Sequence, residues 1–390
     1  PFRTVPRLQD VVEGRSGFNQ LKEVAIEDLL GRDPVALDWT AIRTGLSGKR
    51  VLVTGGGGSI GAELCRQVAR LGAESLTILE LSEYNLYRIE QELGREFPEL
   101  LLVAMLGDAG DAATCERVLE SARPHLVFHA AAFKHVPLLE GQVREAFRNN
   151  VLGTQTMALA ADRHRVECFV LISTDKAVNP ANVMGATKRA AEIFCQNFAA
   201  ASQTRFITVR FGNVLDSAGS VVPLFREQIR AGGPVTVTHP EIARYFMTIP
   251  EACQLIMQAA VLGQGGEIFA LDMGEPVRIG YLAEQMIRLA GKVPGREIEI
   301  AYTGLRPGEK LFEELFHEHE SYEGTSHRKI FLASPRKMPW TELSAVLKRA
   351  AQASLRYDED ELLRCLRELV PEFAADAPDA EVVSIHRSRA

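Results

Sequence analysis

KRVLVTGGGGSIGAEL, Lys49 to Leu64, decides the fold. Its first half is a short Val-rich apolar run, the pattern of a strand buried on both faces of a parallel sheet. Its second half sets Gly55, Gly58 and Gly61 at three-residue spacing ahead of apolar residues at helical spacing. Strand, glycine turn and helix in that order bring backbone N–H groups against a pyrophosphate at the helix N-terminus, where Ser59 and Ile60 begin the helix. An ordinary glycine turn is the alternative, but the flanking strand and helix make a dinucleotide site the better reading.

Outward from this stretch the pattern repeats. SLTILE, LLVAMLGD, HLVFHAA, CFVLIST and RFITVRFGNV read as strands, and YNLYRIEQELGREF, ATCERVLESAR and GATKRAAEIFCQNFAAA as helices between them. Alternation at this spacing predicts βαβ units and an α/β, Rossmann-type, doubly wound parallel sheet over residues 48–213. Ligands then sit at the carboxyl ends of the strands. From 214 to 335 Gly, Pro and short strands mix with helices such as EACQLIMQAAVLG, which predicts mostly a smaller α/β, substrate-binding lobe. Residues 1–47 read as a lead-in with a short helical patch stopped by Gly31 and Pro34. Residues 336–390 read as helices followed by a disordered Ala-rich, acidic tail.

The bulk numbers narrow the function. At 390 residues the chain is one large domain with additions, or two domains. A formal charge of -7 argues against nucleic acid as the main partner, while a local basic pocket can still take an anionic small ligand. Six scattered cysteines without a CxxC pair predict reduced, buried thiols in a cytoplasmic setting, with no metal site. No run of about 18 apolar residues exists, so no membrane span or membrane contact is expected of the chain as given. It begins at Pro1, which suggests a piece of a longer protein.

Glu80 ends the second strand, where a carboxylate accepts bonds from ribose hydroxyls and repels a 2′-phosphate, favouring NAD over NADP. Asp108 either contacts the adenine amine or caps the next helix. Ala130, Ala131 and Ala132 leave room for the dinucleotide backbone.

STDKAVNPANVMGATKR, Ser173 to Arg189, raises a chemical question. It has the Lys and hydroxyl residues of a short-chain dehydrogenase site, but Met184 stands where Tyr is usual, four residues before Lys188. TGGGGSIG, HAAA and MGATK resemble the extended short-chain dehydrogenase/reductase superfamily. HAAAFKHVPLLE, RFGNVLDSAGSVVPLF, RYFMTIPEA and GLRPGEKLFEEL resemble a narrower group, the nucleotide-sugar 4,6-dehydratases of the CapD-like polysaccharide biosynthesis family. The Met form is similar to the large, membrane-anchored UDP-N-acetylglucosamine 4,6-dehydratases. That resemblance implies a parent anchored in the bacterial inner membrane and facing the cytoplasm. It also implies a homo-oligomer, at least a dimer.

A 4,6-dehydratase oxidises sugar C4 with tightly bound, recycled NAD, removes the C5 proton, expels water from C6 and returns hydride there. This needs a group for the C4 proton and an acid/base pair for C5 and C6. The expectation is Asp175 as the acid and Lys176 as the C5 base, both pushed toward neutrality by burial. Lys188 would hold the nicotinamide ribose. With Met184 in place of a phenol, the C4 proton passes to Thr174 and a water, to Asp175, or to Lys188. The resemblance also implies substrate contacts: Lys134 and Glu140 beside the sugar, Asn213 at the sugar or α-phosphate, and Val221, Val222 and Pro223 along the uracil. Arg244 and Arg306 are candidate pyrophosphate clamps. Two other readings compete. A C4 epimerase would leave Asp175 and Lys176 surplus, and a non-catalytic NAD-binding sensor would explain Met184 as an inactivating change.

Overall fold

The computed structural model describes residues 37–316, 322–333, 336 and 338–374, together with the paired two-residue strands Arg3–Thr4 and Lys22–Glu23. The helical patch expected around VAIEDLLGRDPVALD lies almost wholly outside these residues, as does the tail beyond 374. A helix that the sequence reading left within the lead-in, α1 (Trp39–Leu46), is present, started by Asp38, whose carboxylate accepts from Ala41 N.

The apolar runs form the expected strands: β1 (Arg50–Thr54), β2 (Ser75–Glu80), β3 (Leu101–Leu106), β4 (Leu126–His129), β5 (Cys168–Ile172) and β6 (Arg205–Arg210). Between them lie α2 (Ser59–Arg70), α3 (Glu83–Glu96), α4 (Ala112–Ala122), α5 (Gly153–Arg163) and α6 (Val183–Ala199). Alternate residues face opposite layers. Leu52 and Phe169 enter one core, while Val51, Val53 and Val170 enter the other. Complete burial of such a side chain contributes roughly 1.5–3 kcal/mol.

The nine-stranded sheet extends beyond the expected domain. Its order is β8 (Tyr322–Gly324), β9 (Ile330–Ala333), β7 (Ile268–Leu271), β6, β5, β4, β1, β2, β3. β1 to β7 are parallel, and the β8–β9 hairpin is antiparallel. The order reverses between β1 and β4, so the crevice opens where Gly55 and Ala130 follow those strands.

Part of 214–335, read as mostly a substrate-binding lobe, returns to the main sheet. IFAL is a fully buried run that pairs with β6, and α8 (Ile249–Leu262) packs on α2 with nearly every side buried. The smaller lobe has its own core of Val222, Phe225, Val235, Phe246, Leu282 and Ile287, drawn from α7 (Val221–Arg230), α9 (Ile279–Leu289) and short strands. α10 (Trp340–Leu355) and α11 (Glu359–Leu369) close the α6 face, with Trp340 stacked on Phe198 at 5.5 Å between centroids. All six cysteines are buried free thiols. Among the described residues no helix is long and apolar enough to cross a membrane, and no cluster could hold a metal ion.

Candidate active site

The glycine turn is built by close approach. Gly55 has φ +65°, and a Cβ there would come within 2.7 Å of Ala131 N. A Cβ on Gly61 would strike Gly55 O, so only glycine lets α2 start against the turn. Ala130, Ala131 and Ala132 are half-buried beside it. Glu80 is buried at the end of β2. Its Oε2 accepts from Gly57 N and its Oε1 from Ser82 N, each at 2.9 Å. Gly58 caps α2, and Ser59 Oγ accepts from Ala218 N at 3.1 Å, so a loop from the smaller lobe reaches the turn. Ile60 is partly buried against the core. Asp108 does not cap α4. Asp111 does, because it stands three residues before Thr114 N, while Asp108 accepts from Gly110 N and faces Arg148 at 3.5 Å.

At the end of β5 the chain enters a short 3-10 turn, Asp175–Ala177, started by Thr174. Thr174 Oγ1 donates to Asp175 Oδ1 at 3.0 Å. Lys176 Nζ donates to the same oxygen at 3.0 Å and to Asn213 Oδ1 at 3.1 Å. Asp175 Oδ2 is buried and has no hydrogen-bond partner among the described residues. The sequence reading expected burial to drive Lys176 toward neutrality. Burial does work that way, but the carboxylates of Asp175 and Glu313 outweigh it and raise the amine above its ordinary value.

α6 brings Met184 and Lys188 to the same place, and a Cβ on Gly185 would strike Lys176 O. Lys188 Nζ donates to Ile172 O at 2.7 Å. Burial lowers its pKa to about 8, against an opposing pull from Glu192. Met184, named with the catalytic set, is buried among core side chains.

The expected substrate residues divide. Lys134 Nζ donates to Ala218 O at 2.7 Å and fastens the loop before α7. Glu140 Oε1 accepts from Val183 N at 2.6 Å, and this bond caps α6 beside Asn182. Val222 is buried in the lobe core, with Val221 and Pro223 half-buried at the start of α7. Arg306 is exposed. Arg244, the other candidate clamp, is held by the fold. It is buried, donates to the carbonyls of Ala243, Lys310 and Leu311, and faces Glu309 and Glu313.

Sequence reasoning missed two neighbours. Glu313 Oε1 lies 3.5 Å from Lys176 Nζ. Tyr245 lies across Gly212 from Asp175, and a Cβ on Gly212 would come 2.9 Å from Asp175 Oδ2 and 3.1 Å from Tyr245 Cβ. Burial, with Glu275 and Asp175 nearby, raises the phenol's pKa.

Residues 51–335 match the family described as polysaccharide biosynthesis protein. The chain belongs to that family. Within it, the capsular polysaccharide biosynthesis protein CapD of Staphylococcus aureus is 51% identical over 329 residues, covering 84% of this chain and 55% of that protein. The chain thus spans about half the length of this curated relative. A UDP-glucose 4-epimerase of Rickettsia canadensis is 33% identical over 275 residues, covering 68% of this chain and 77% of the epimerase. Among solved structures, Pen from Bacillus thuringiensis superposes with a TM-score of 0.69 at 33% identity, covering 74% of this chain and 90% of Pen. The Rossmann-type sheet is that of the extended short-chain dehydrogenase/reductase enzymes.

Proposed function

We propose that this chain dehydrates UDP-N-acetylglucosamine to UDP-2-acetamido-2,6-dideoxy-4-keto-hexose, in the synthesis of a bacterial glycan. The observation that carries the reading is the Asp175–Lys176 pair at the end of β5, where the buried Asp175 Oδ2 lies beside Gly212 with no partner among the described residues. A C4 epimerase has no use for a second acid/base pair. The likeness to CapD supports a role in polysaccharide synthesis, and the likeness to a UDP-glucose epimerase supports a UDP-sugar as substrate.

The residues fit NAD. The tight Gly55–Gly61 turn suits a pyrophosphate, and Glu80 beside Gly57 suits ribose hydroxyls and disfavours a 2′-phosphate. Ala130 and Ala131 lie against Gly55, Asp108 and Ala132 would border the bound dinucleotide, and Lys188 would reach the nicotinamide ribose. Bound NAD would supply the hydride acceptor for sugar C4 and the donor for C6. The chain's residues handle the protons. Thr174 relays the C4 hydroxyl proton to Asp175 along the bond they already share. Lys176 takes the C5 proton from the minor free-amine fraction that its raised pKa leaves. Asp175 returns its proton to the C6 hydroxyl, which leaves as water, and Lys176 reprotonates C5. No net proton is consumed.

Incubation with UDP-N-acetylglucosamine in heavy water tests this by mass. Loss of one water with label at C5 is expected. An unchanged mass with a new sugar means an epimerase, and no reaction means a binding protein. A second prediction concerns the turn. Gly61→Val weakens NAD binding by roughly 5- to 150-fold, from an overpacking cost of about 1–3 kcal/mol, as read by fluorescence titration.

A further inference from the structure

Glu313 stands between two cations. Its Oε1 lies 3.5 Å from Lys176 Nζ and 3.8 Å from Arg244 Nε, and its side chain is 4% exposed. It belongs to an irregular segment, 306–314, that is fastened to the turn after β5. Asn182 Nδ2 donates to Gly308 O, Lys310 Nζ to Val178 O, and Arg244 to the carbonyls of Lys310 and Leu311. These bonds fix where the carboxylate points.

We propose that Glu313 is a positioning residue that aims the Lys176 amine and sets its charge. The inference rests on the reading of Lys176 as the C5 base. A lysine ammonium has three N–H donors. Asp175 Oδ1, Asn213 Oδ1 and Glu313 Oε1 surround this one. Asp175 changes its own proton during the reaction, whereas Glu313 does not. When the C5–H bond breaks, the electron pair stays on the sugar and the proton goes to Nζ. Glu313 then stabilises the ammonium that forms.

The charged groups around this carboxylate are few. Asp175 and Lys176 face it from the turn after β5, and Arg244 faces it from its strand, with Tyr245 and Glu275 beyond. Glu309, Lys310 and Glu314 flank it on its own segment, where Lys310 pairs with Glu314. Arg244 partly offsets its charge, but an opposite charge this close still favours the protonated lysine.

Trace acetylation of the full chain with acetic anhydride across pH, read for each lysine by peptide mass, tests this without turnover. Glu313→Gln should move the Lys176 profile to lower pH by about one unit, raising its acetylation near pH 8 about tenfold, while Lys134 and Lys329 label as before. Glu313→Asp keeps an anion one methylene further away and should label between the two; it serves if the Gln variant does not fold. The ascending limb of kcat/KM should move in the same direction. A wild-type Lys176 profile in whichever variant folds overturns the proposal. A shifted profile in a chain that releases no water supports the ion pair and sinks the dehydratase reading alone.

Discussion

Asp175→Asn should lower the rate of water loss from UDP-N-acetylglucosamine by roughly 10²–10⁴-fold while NAD stays bound. Asparagine keeps an oxygen that can accept from Thr174 and Lys176, so the turn is preserved. It also puts an amide where the buried, unpartnered Oδ2 stands, and an amide gives no proton to a leaving hydroxide. Lys176→Met should cost a similar factor by removing the C5 base. It also leaves Asp175 and Glu313 without their shared cation, so its melting temperature must be measured beside its rate. Because the two residues act as a unit, the double variant should be little slower than the worse single one. Deuterium exchange at C5 separates the roles. Offered the 4-keto sugar nucleotide, which bypasses C4 oxidation, Asp175→Asn should retain exchange at C5, since the base remains, and Lys176→Met should abolish it. Near-normal water loss in both singles would end the assignment.

What the sequence made legible was local. The glycine turn is fixed by contacts between residues a few positions apart, such as Gly61 against Gly55, and spacing alone reveals them. Strand ends were equally plain, which is why Glu80, Thr174 and Asp175 could be placed at the ends of β2 and β5. The misses are non-local. Glu313 lies far along the chain from Lys176, in a segment without periodicity, so nothing in STDKAVNPANV announces the carboxylate that raises the lysine. Arg244 read as a phosphate clamp because a guanidinium in a loop motif suggests one, and the three carbonyls that occupy it come from the fold. The sheet was underestimated for a related reason. The short IFAL run after a Gly-rich stretch gave no sign that it would rejoin β6. Asp108 and Asp111 are both plausible caps, and only the start of α4 decides between them.

Arg210→Met should destabilise the protein by about 3–5 kcal/mol, measured by denaturant unfolding of the full chain. Arg210 and Glu192 are fully buried and joined by two bonds, Nε to Oε1 at 2.9 Å and Nη2 to Oε2 at 2.7 Å. Glu192 also accepts from Ser173 Oγ at 2.6 Å and Arg189 Nη1 at 3.1 Å. Burial works to raise its pKa, yet Arg210, Arg189 and the Ser173 hydroxyl together bring it from 4.5 down to about 2. That shift corresponds to roughly 3 kcal/mol, in line with the cost expected from breaking the pair. The folded value lies below the unfolded one, so this stability is fully present above about pH 4.5. It is lost progressively as pH falls toward 2, and the wild-type unfolding midpoint should drop across that window. Arg210→Met should flatten the drop, because Glu192 then keeps only part of its reason to stay ionised. Replacing both partners, Glu192→Leu with Arg210→Met, should cost less than Arg210→Met alone, since no buried charge is left stranded and Arg189 still pairs with Glu372 at 3.2 Å. The same change reaches the site, because Glu192 opposes the burial that lowers Lys188. In the double variant the Lys188 pKa should fall further below about 8, which trace acetylation reads as increased labelling at neutral pH.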